Sequence, residues 1–336
     1  MTNSSLVAVT ENPYFKSLVL AVGAFTLLKF VVKTAGVLLQ TFVLPGTSLK
    51  KYGAGKGAWA VVTGASEGIG REYALQLAKK GFNVLVSARN KAALEALVNE
   101  IHHQNSTVKA KAVAFDFSKV NDLAQWATFR AEIEGLDVGV LVNNVGKSHA
   151  FPVDFADTTD EEVDSILAIN INATLKVTRA VLPGMVQRKR GLVLMLGSFA
   201  GISTVSPMLA PYAASKVFLA SFSAALGAEV KSKGIDVQTV NTYFVVSSMS
   251  KIRKASVMIP TPKQYVKAAL SKVGLACGAL FTGRPHLSTP YWSHALLDYF
   301  IHVLDLTSVV TAVTHGMHKS IRTRALKKLA REAKQQ

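Results

Sequence analysis

The sequence predicts an α/β protein, a doubly wound parallel sheet with an apolar helix in front of it and an amphipathic helix behind. Three observations carry this. Short β-rich runs alternate with helical stretches from Trp59 onward, a glycine-rich turn joins the first run to the first helix, and apolar segments with basic flanks bracket the alternation. The chain has 336 residues, 49% of them apolar and 18% charged, and a mean hydropathy of +0.28, which points to contact with lipid. The formal net charge is +17, and residues 1–57 and 316–336 carry eleven of those charges. Basic flanks beside apolar segments suit a membrane surface better than nucleic acid. The single cysteine, Cys277, excludes an intramolecular disulfide and agrees with a reducing compartment.

Residues 17–44 are almost wholly apolar and long enough for a membrane helix, with Lys29 and Lys33 four apart on one face. A lysine at mid-bilayer costs about 2.5 to 3.5 kcal/mol on insertion scales, so a tilted span and an in-plane or hairpin insertion both remain open. A cleaved signal peptide is not expected, because the basic start and the small-residue cleavage pattern are missing. Pro45-Gly46 ends the segment, and Lys50, Lys51 and Lys56 place its C-terminal side in the cytosol.

Strands are expected at 60–63, 83–87, 113–115, 138–142, 192–196 and 237–246, with helices at 71–80 and 91–102 among those between them. Strict alternation means a parallel sheet wound on both faces. Past Pro290, apolar residues recur at helical period from Trp292 to Val313, and a basic stretch follows from Lys319 to Lys334. A helix near 291–315 lying on a membrane or on the enzyme fits that pattern. His294, Asp298, His302 and Asp305 share its polar stripe, which reads as a solvated face, and no metal is expected. The chain thus divides into an anchor at 1–50, a nucleotide-binding reductase domain at 51–285 and a membrane-associated helix with a basic tail at 286–336.

The run Thr63-Gly64-Ala65-Ser66-Glu67-Gly68-Ile69-Gly70 follows the first strand and opens a helix. There, glycines allow a tight turn and free N–H groups at a helix start favour a pyrophosphate. The second strand ends on Arg89 where an NAD enzyme would want a carboxylate. Arg89, seconded by Arg71, suits a 2′-phosphate, so NADPH is the expected cofactor. Tyr212 and Lys216 lie four apart on a helix, and a nearby ammonium brings a phenol closer to acid–base use at neutral pH. Ser198, fourteen residues upstream and just past a strand, can hydrogen-bond a substrate carbonyl.

These motifs together make residues 57–285 resemble the classical short-chain dehydrogenases/reductases. The resemblance implies that Gly64, Ser66, Gly68, Ile69 and Gly70 hold the pyrophosphate and that Asp116 contacts the adenine. It also implies that Asn143 and Asn144 form the element after the fourth strand, in Asn143-Asn144-Val145-Gly146. Asn170, in Ile169-Asn170-Ile171, would order a water chain and complete a tetrad with Ser198, Tyr212 and Lys216. Tyr212 would donate the proton, Lys216 bind the nicotinamide ribose, and Ser198 polarise the carbonyl. The Pro-Gly turn usual after the sixth strand is replaced by Val245-Val246-Ser247-Ser248-Met249, which leaves carboxamide contacts to Val246 and Ser247. That replacement is similar to the membrane-bound very-long-chain 3-oxoacyl-CoA reductases and the related type 12 17β-hydroxysteroid dehydrogenases. So are Met195-Leu196-Gly197-Ser198-Phe199, Met258-Ile259-Pro260, Thr289-Pro290-Tyr291-Trp292 and His318-Lys319-Ser320-Ile321-Arg322.

The implied activity is reduction of a long-chain 3-oxoacyl-CoA in fatty-acid elongation at the endoplasmic reticulum membrane, beside other elongation enzymes, with the catalytic body cytosolic. Lys251, Arg253 and Lys254 are candidates for the coenzyme A phosphates. A steroid or other lipid ketone as substrate, and a non-catalytic scaffold of a lipid-synthesis complex, are the alternatives.

Overall fold

A computed structural model describes residues 10–334. The core alternates β1 (Trp59–Thr63), α2 (Gly68–Lys79), β2 (Asn83–Ala88), α3 (Lys91–Gln104), β3 (Ala110–Ala114), α4 (Leu123–Ala131), β4 (Val138–Asn143), α5 (Asp160–Leu167), α6 (Ala173–Gln187), β5 (Gly191–Leu196), α7 (Ala210–Val230), β6 (Ile235–Val240), α8 (Pro262–Ser271) and β7 (Leu287–Ser288). In front stands α1 (Pro13–Leu38), and behind stand α9 (Trp292–Val303) and α10 (Thr307–Ala333). The seven strands are all parallel, in the order β3-β2-β1-β4-β5-β6-β7.

Alternation along each strand feeds two cores. Val62, Val86, Val142 and Leu194 face α2, α3 and α8 through Tyr73, Leu94 and Tyr265. Val61, Leu85, Leu141 and Val193 face α4, α6 and α7 through Phe129, Val177 and Leu226. With both faces covered, central strands read as unbroken apolar runs. The strand order reverses between β1 and β4, and ligands of such sheets bind at that crevice.

Three expectations are corrected. The sixth strand stops at Val240 instead of reaching Val246. Beyond it Asn241 N–H still donates to Ser288 of β7 at 2.7 Å, and Val246 N–H donates to the Pro260 carbonyl in a loop at 3.1 Å. Tyr243, Phe244 and Val245 are apolar because they line a cavity, a role that leaves the same trace in sequence as a buried strand. The C-terminal helix breaks at 304–306, where Asp305 takes a positive φ of 48°. Its stripe is solvated only in part: Asp305 is exposed and His302 half-buried, whereas His294 and Asp298 are wholly buried. Asp298 Oδ2 accepts the Thr289 hydroxyl at 2.5 Å, and His294 Nε2 meets the Met258 carbonyl at 3.0 Å.

The segment Pro13–Val43 is long and apolar enough to cross a membrane, and its apolar window is unburied. Ala210–Lys233 also passes that test but is half buried, because α7 packs on the sheet through Leu219 and Leu226. The foot of α1 is joined to the body. Thr34 and Tyr299 hydroxyls lie 3.1 Å apart, Gln40 Oε1 accepts from Cys277 N–H at 3.0 Å, and Lys272 Nζ donates to the Leu44 carbonyl at 2.7 Å. Lys33 sits 5.3 Å from the centre of the Phe281 ring, which gives one of the two lysines of this segment a cation–π partner on the body.

Candidate active site

One cavity of about 680 Å³ runs along the C-terminal edge of the sheet from Arg89 to Tyr212. Its floor is the turn after β1. Gly64 and Gly68 hold positive φ of 66° and 58°, the left-handed region that favours glycine. A Cβ on Gly64 would lie 2.8 Å from Val145 Cα, and one on Gly70 would lie 2.3 Å from the Gly64 carbonyl oxygen. Asn144 holds this turn closed, its Nδ2 donating to the Thr63 and Gly64 carbonyls at 3.0 Å each. The backbone at the start of α2 is thereby bared as a cradle for phosphate.

At one end of the cradle Arg89 is exposed in the cavity wall beside Asp116, whose Oδ1 accepts from the backbone and hydroxyl of Ser118 at 3.0 and 2.9 Å. At the other end lie Ser198, Tyr212 and Lys216. Ser198 follows β5 and Tyr212 opens α7, so the end of a central strand meets the first turn of the neighbouring helix. Lys216, one turn on, donates to the Leu196 carbonyl at 2.8 Å and lies 5.7 Å from the Tyr212 ring centre. Burial raises the Tyr212 phenol, while a hydrogen bond from Ser198 pulls it down. Burial lowers the Lys216 ammonium to about 8. A phenol kept protonated next to a hydroxyl is a donor set for a ketone oxygen that gains negative charge.

Asn170 stands behind this group, in a π-helical turn at Ala168–Asn172 that joins α5 to α6. Its Oδ1 accepts from Lys147 N–H at 2.8 Å, and its Nδ2 donates to the Lys147 carbonyl at 3.0 Å and to Ser215 Oγ at 2.8 Å. Ser215 in turn donates to the Tyr212 carbonyl at 2.7 Å. The side chain so ties the loop after β4 to the helix that carries Tyr212. It does not itself line the cavity.

Gly64, Ser66, Gly68, Ile69, Gly70, Arg89, Asp116, Asn144, Ser247, Ser198, Tyr212 and Lys216 share the one cavity. Arg71, Asn143 and Val246 do not line it. Arg71 is paired with Glu100 of α3, and Asn143 donates from its buried amide to Thr178 at 2.9 Å. Of the three basic residues offered for phosphates, Lys251 lines the cavity, its Nζ on the Ala150 carbonyl at 2.7 Å, and Arg253 and Lys254 do not. The wall also includes Thr314, Met317, His318 and Ile321 of α10, none of which was expected to line the site. Their spacing is one helical face, visible in sequence but indistinguishable there from a face against lipid.

Comparison with known proteins shows what the whole chain is similar to. Residues 58–257 match the family profile described as short chain dehydrogenase. The chain is 56% identical over 328 residues, 98% of its length and 96% of the relative's, to a Coprinopsis cinerea protein named very-long-chain 3-oxoacyl-CoA reductase. It is 54% identical, over 99% of this chain and 97% of the relative, to a Laccaria bicolor protein of the same name. Among solved structures it is similar to a metagenomic short-chain oxidoreductase in complex with NADP, with TM-score 0.50, 32% identity, and coverage of 55% of this chain and 81% of that one.

Proposed function

The chain belongs to the short-chain dehydrogenase family and binds a nicotinamide cofactor, and from that premise we propose that it reduces long-chain 3-oxoacyl-CoA to 3-hydroxyacyl-CoA with NADPH. Near full-length identity of 56% to a protein of that name is the observation that carries the substrate. The gathering of Ser198, Tyr212 and Lys216 at one end of a glycine-floored cavity supports the reaction class. The glycine floor suits a pyrophosphate, and Asp116, which lines the same cavity, is the residue assigned to the adenine.

The cofactor, when bound, supplies a hydride to C3. The chain's own groups do the rest. Ser198 Oγ and the Tyr212 hydroxyl converge on the carbonyl oxygen, Tyr212 gives up its proton there, and Lys216 holds the nicotinamide ribose and stabilises the phenolate left behind. Asn170 keeps the loop after β4 and the Tyr212 helix in register. Arg89 carries the NADPH preference, since a guanidinium pairs well with a 2′-phosphate. The protein works at the endoplasmic reticulum membrane with its catalytic body in the cytosol, α1 in the bilayer, and other enzymes of fatty-acid elongation near by.

The test compares purified enzyme on a 3-oxoacyl-CoA of about sixteen carbons, whose chain gains about 0.8 kcal/mol per buried CH2, and on a 17-ketosteroid. Higher kcat/KM on the acyl-CoA is expected, and equal or better use of the steroid would promote the lipid-ketone alternative. In the same assay NADH should serve far worse than NADPH, and Arg89→Asp should narrow that gap.

A further inference from the structure

The cavity that holds Ser198, Tyr212 and Lys216 is walled on its far side by α10, through Thr314, Met317, His318 and Ile321. Two contacts fix that helix over the opening. His318 Nδ1 lies 2.7 Å from the Pro207 carbonyl, and Arg322 pairs with Asp157 at 2.7 Å. All of α10 lies beyond residue 257, where the match to the general family profile ends. A part of the chain outside the common catalytic unit therefore shapes the substrate end of the cavity.

The apolar surface does not stop at the cavity mouth. Val309, Val313 and Met317 recur every four residues and so form one stripe, with Val309 and Val313 59% and 68% exposed. The stripe runs towards the start of α10, which follows directly on α9. Tyr299 of α9 meets Thr34 of α1, and the Phe281 ring packs edge-on to both Phe30 and Tyr299. The exposed apolar residues of α10 thus begin one short linker away from α9, which meets the foot of the helix that is long and apolar enough to cross a membrane.

We propose that α10 is the acyl-binding element of this enzyme, a lane along which the substrate's chain leaves the cavity towards the bilayer. The inference rests on the acyl-CoA reading given above. From Ile321 to Val309 the helix rises about 18 Å. That is close to the reach of one lipid chain, about half of a hydrocarbon core of ~30 Å. With C3 held between Ser198 and Tyr212, the chain passes Met317 and Thr314 inside the cavity and then Val313 and Val309 outside it. Each further methylene laid on this surface leaves water, so binding strengthens with chain length up to the end of the lane.

Full-length enzyme in detergent micelles tests this through kcat/KM on 3-oxoacyl-CoA of about eight and about eighteen carbons, chosen to end inside and beyond the lane. Thr314→Trp blocks the lane within the cavity. Val313→Asp places a charge on its exposed stretch, where folding is not at stake. Both should lower the long-to-short ratio about tenfold, the loss of roughly two buried methylenes. A ratio within twofold of wild type in both variants overturns the lane while leaving the substrate class standing. Wild-type enzyme that reduces neither acyl-CoA defeats the substrate reading itself, and the lane with it.

Discussion

Tyr212 and Lys216 occupy the same buried corner with opposite needs. Burial disfavours the charged form of each, so the phenol moves up and the ammonium moves down, to about 8. For a reduction the phenol must arrive protonated and the lysine charged. Raising the pH through about 8 strips Lys216 first, so kcat/KM for reduction should fall on the alkaline side with a midpoint near that value. A flat profile up to pH ~10 would remove Lys216⁺ from the working state. Tyr212→Phe deletes the donor and leaves the glycine cradle intact. It should cost about 10²- to 10⁴-fold in kcat, with cofactor affinity by fluorescence titration changed less than about twofold. At this scale the chemistry was legible in sequence, because a four-residue spacing on a helix is a local fact. The partners of Asn143 and Arg71 were not, since Thr178 and Glu100 come from elements distant in sequence.

Among the elements, α9 departs furthest from its amphipathic reading. Its His294 is buried against Met258, beside Asp298, and burial lowers it to about 4. An unfolded chain binds that proton below its ordinary value of 6.5, whereas the folded chain does not until about 4. Stability from neutral His294 is therefore complete above pH 6.5 and is lost as the pH falls towards 4, by up to roughly 3 kcal/mol. His302, raised by its hydrogen bond to Asp298, runs the opposite way and contributes below its own folded value. The difference between wild type and His294→Gln isolates the first effect. Thermal unfolding at about pH 7.5 and pH 5.5 should show a drop in Tm of a few degrees in wild type that shrinks in the variant. Equal drops in both would place the acid sensitivity elsewhere. The periodicity of α9 was readable and its orientation was not, because a polar stripe faces inward only if the body offers partners such as Thr289 and Asn241.

For the whole molecule, α1 stands out from the body with its apolar window unburied, and its foot is tied down through Thr34, Gln40 and Leu44. Full-length protein should stay in the membrane fraction on alkaline carbonate extraction, and release into the supernatant would exclude a span. The sequence by itself determined the parallel α/β class, the cradle at Gly64–Gly70, the Ser198–Tyr212–Lys216 group and the apolar leader, because each is written in the spacing of neighbours along a strand, turn or helix. Only the tertiary structure decided where β6 ends, that the C-terminal helix breaks at Asp305, that His294 and Asp298 turn inward, and that α10 forms part of the cavity wall. Those outcomes depend on which distant surface covers each face, and an apolar stripe looks the same in sequence whether lipid, a strand or a substrate chain will cover it.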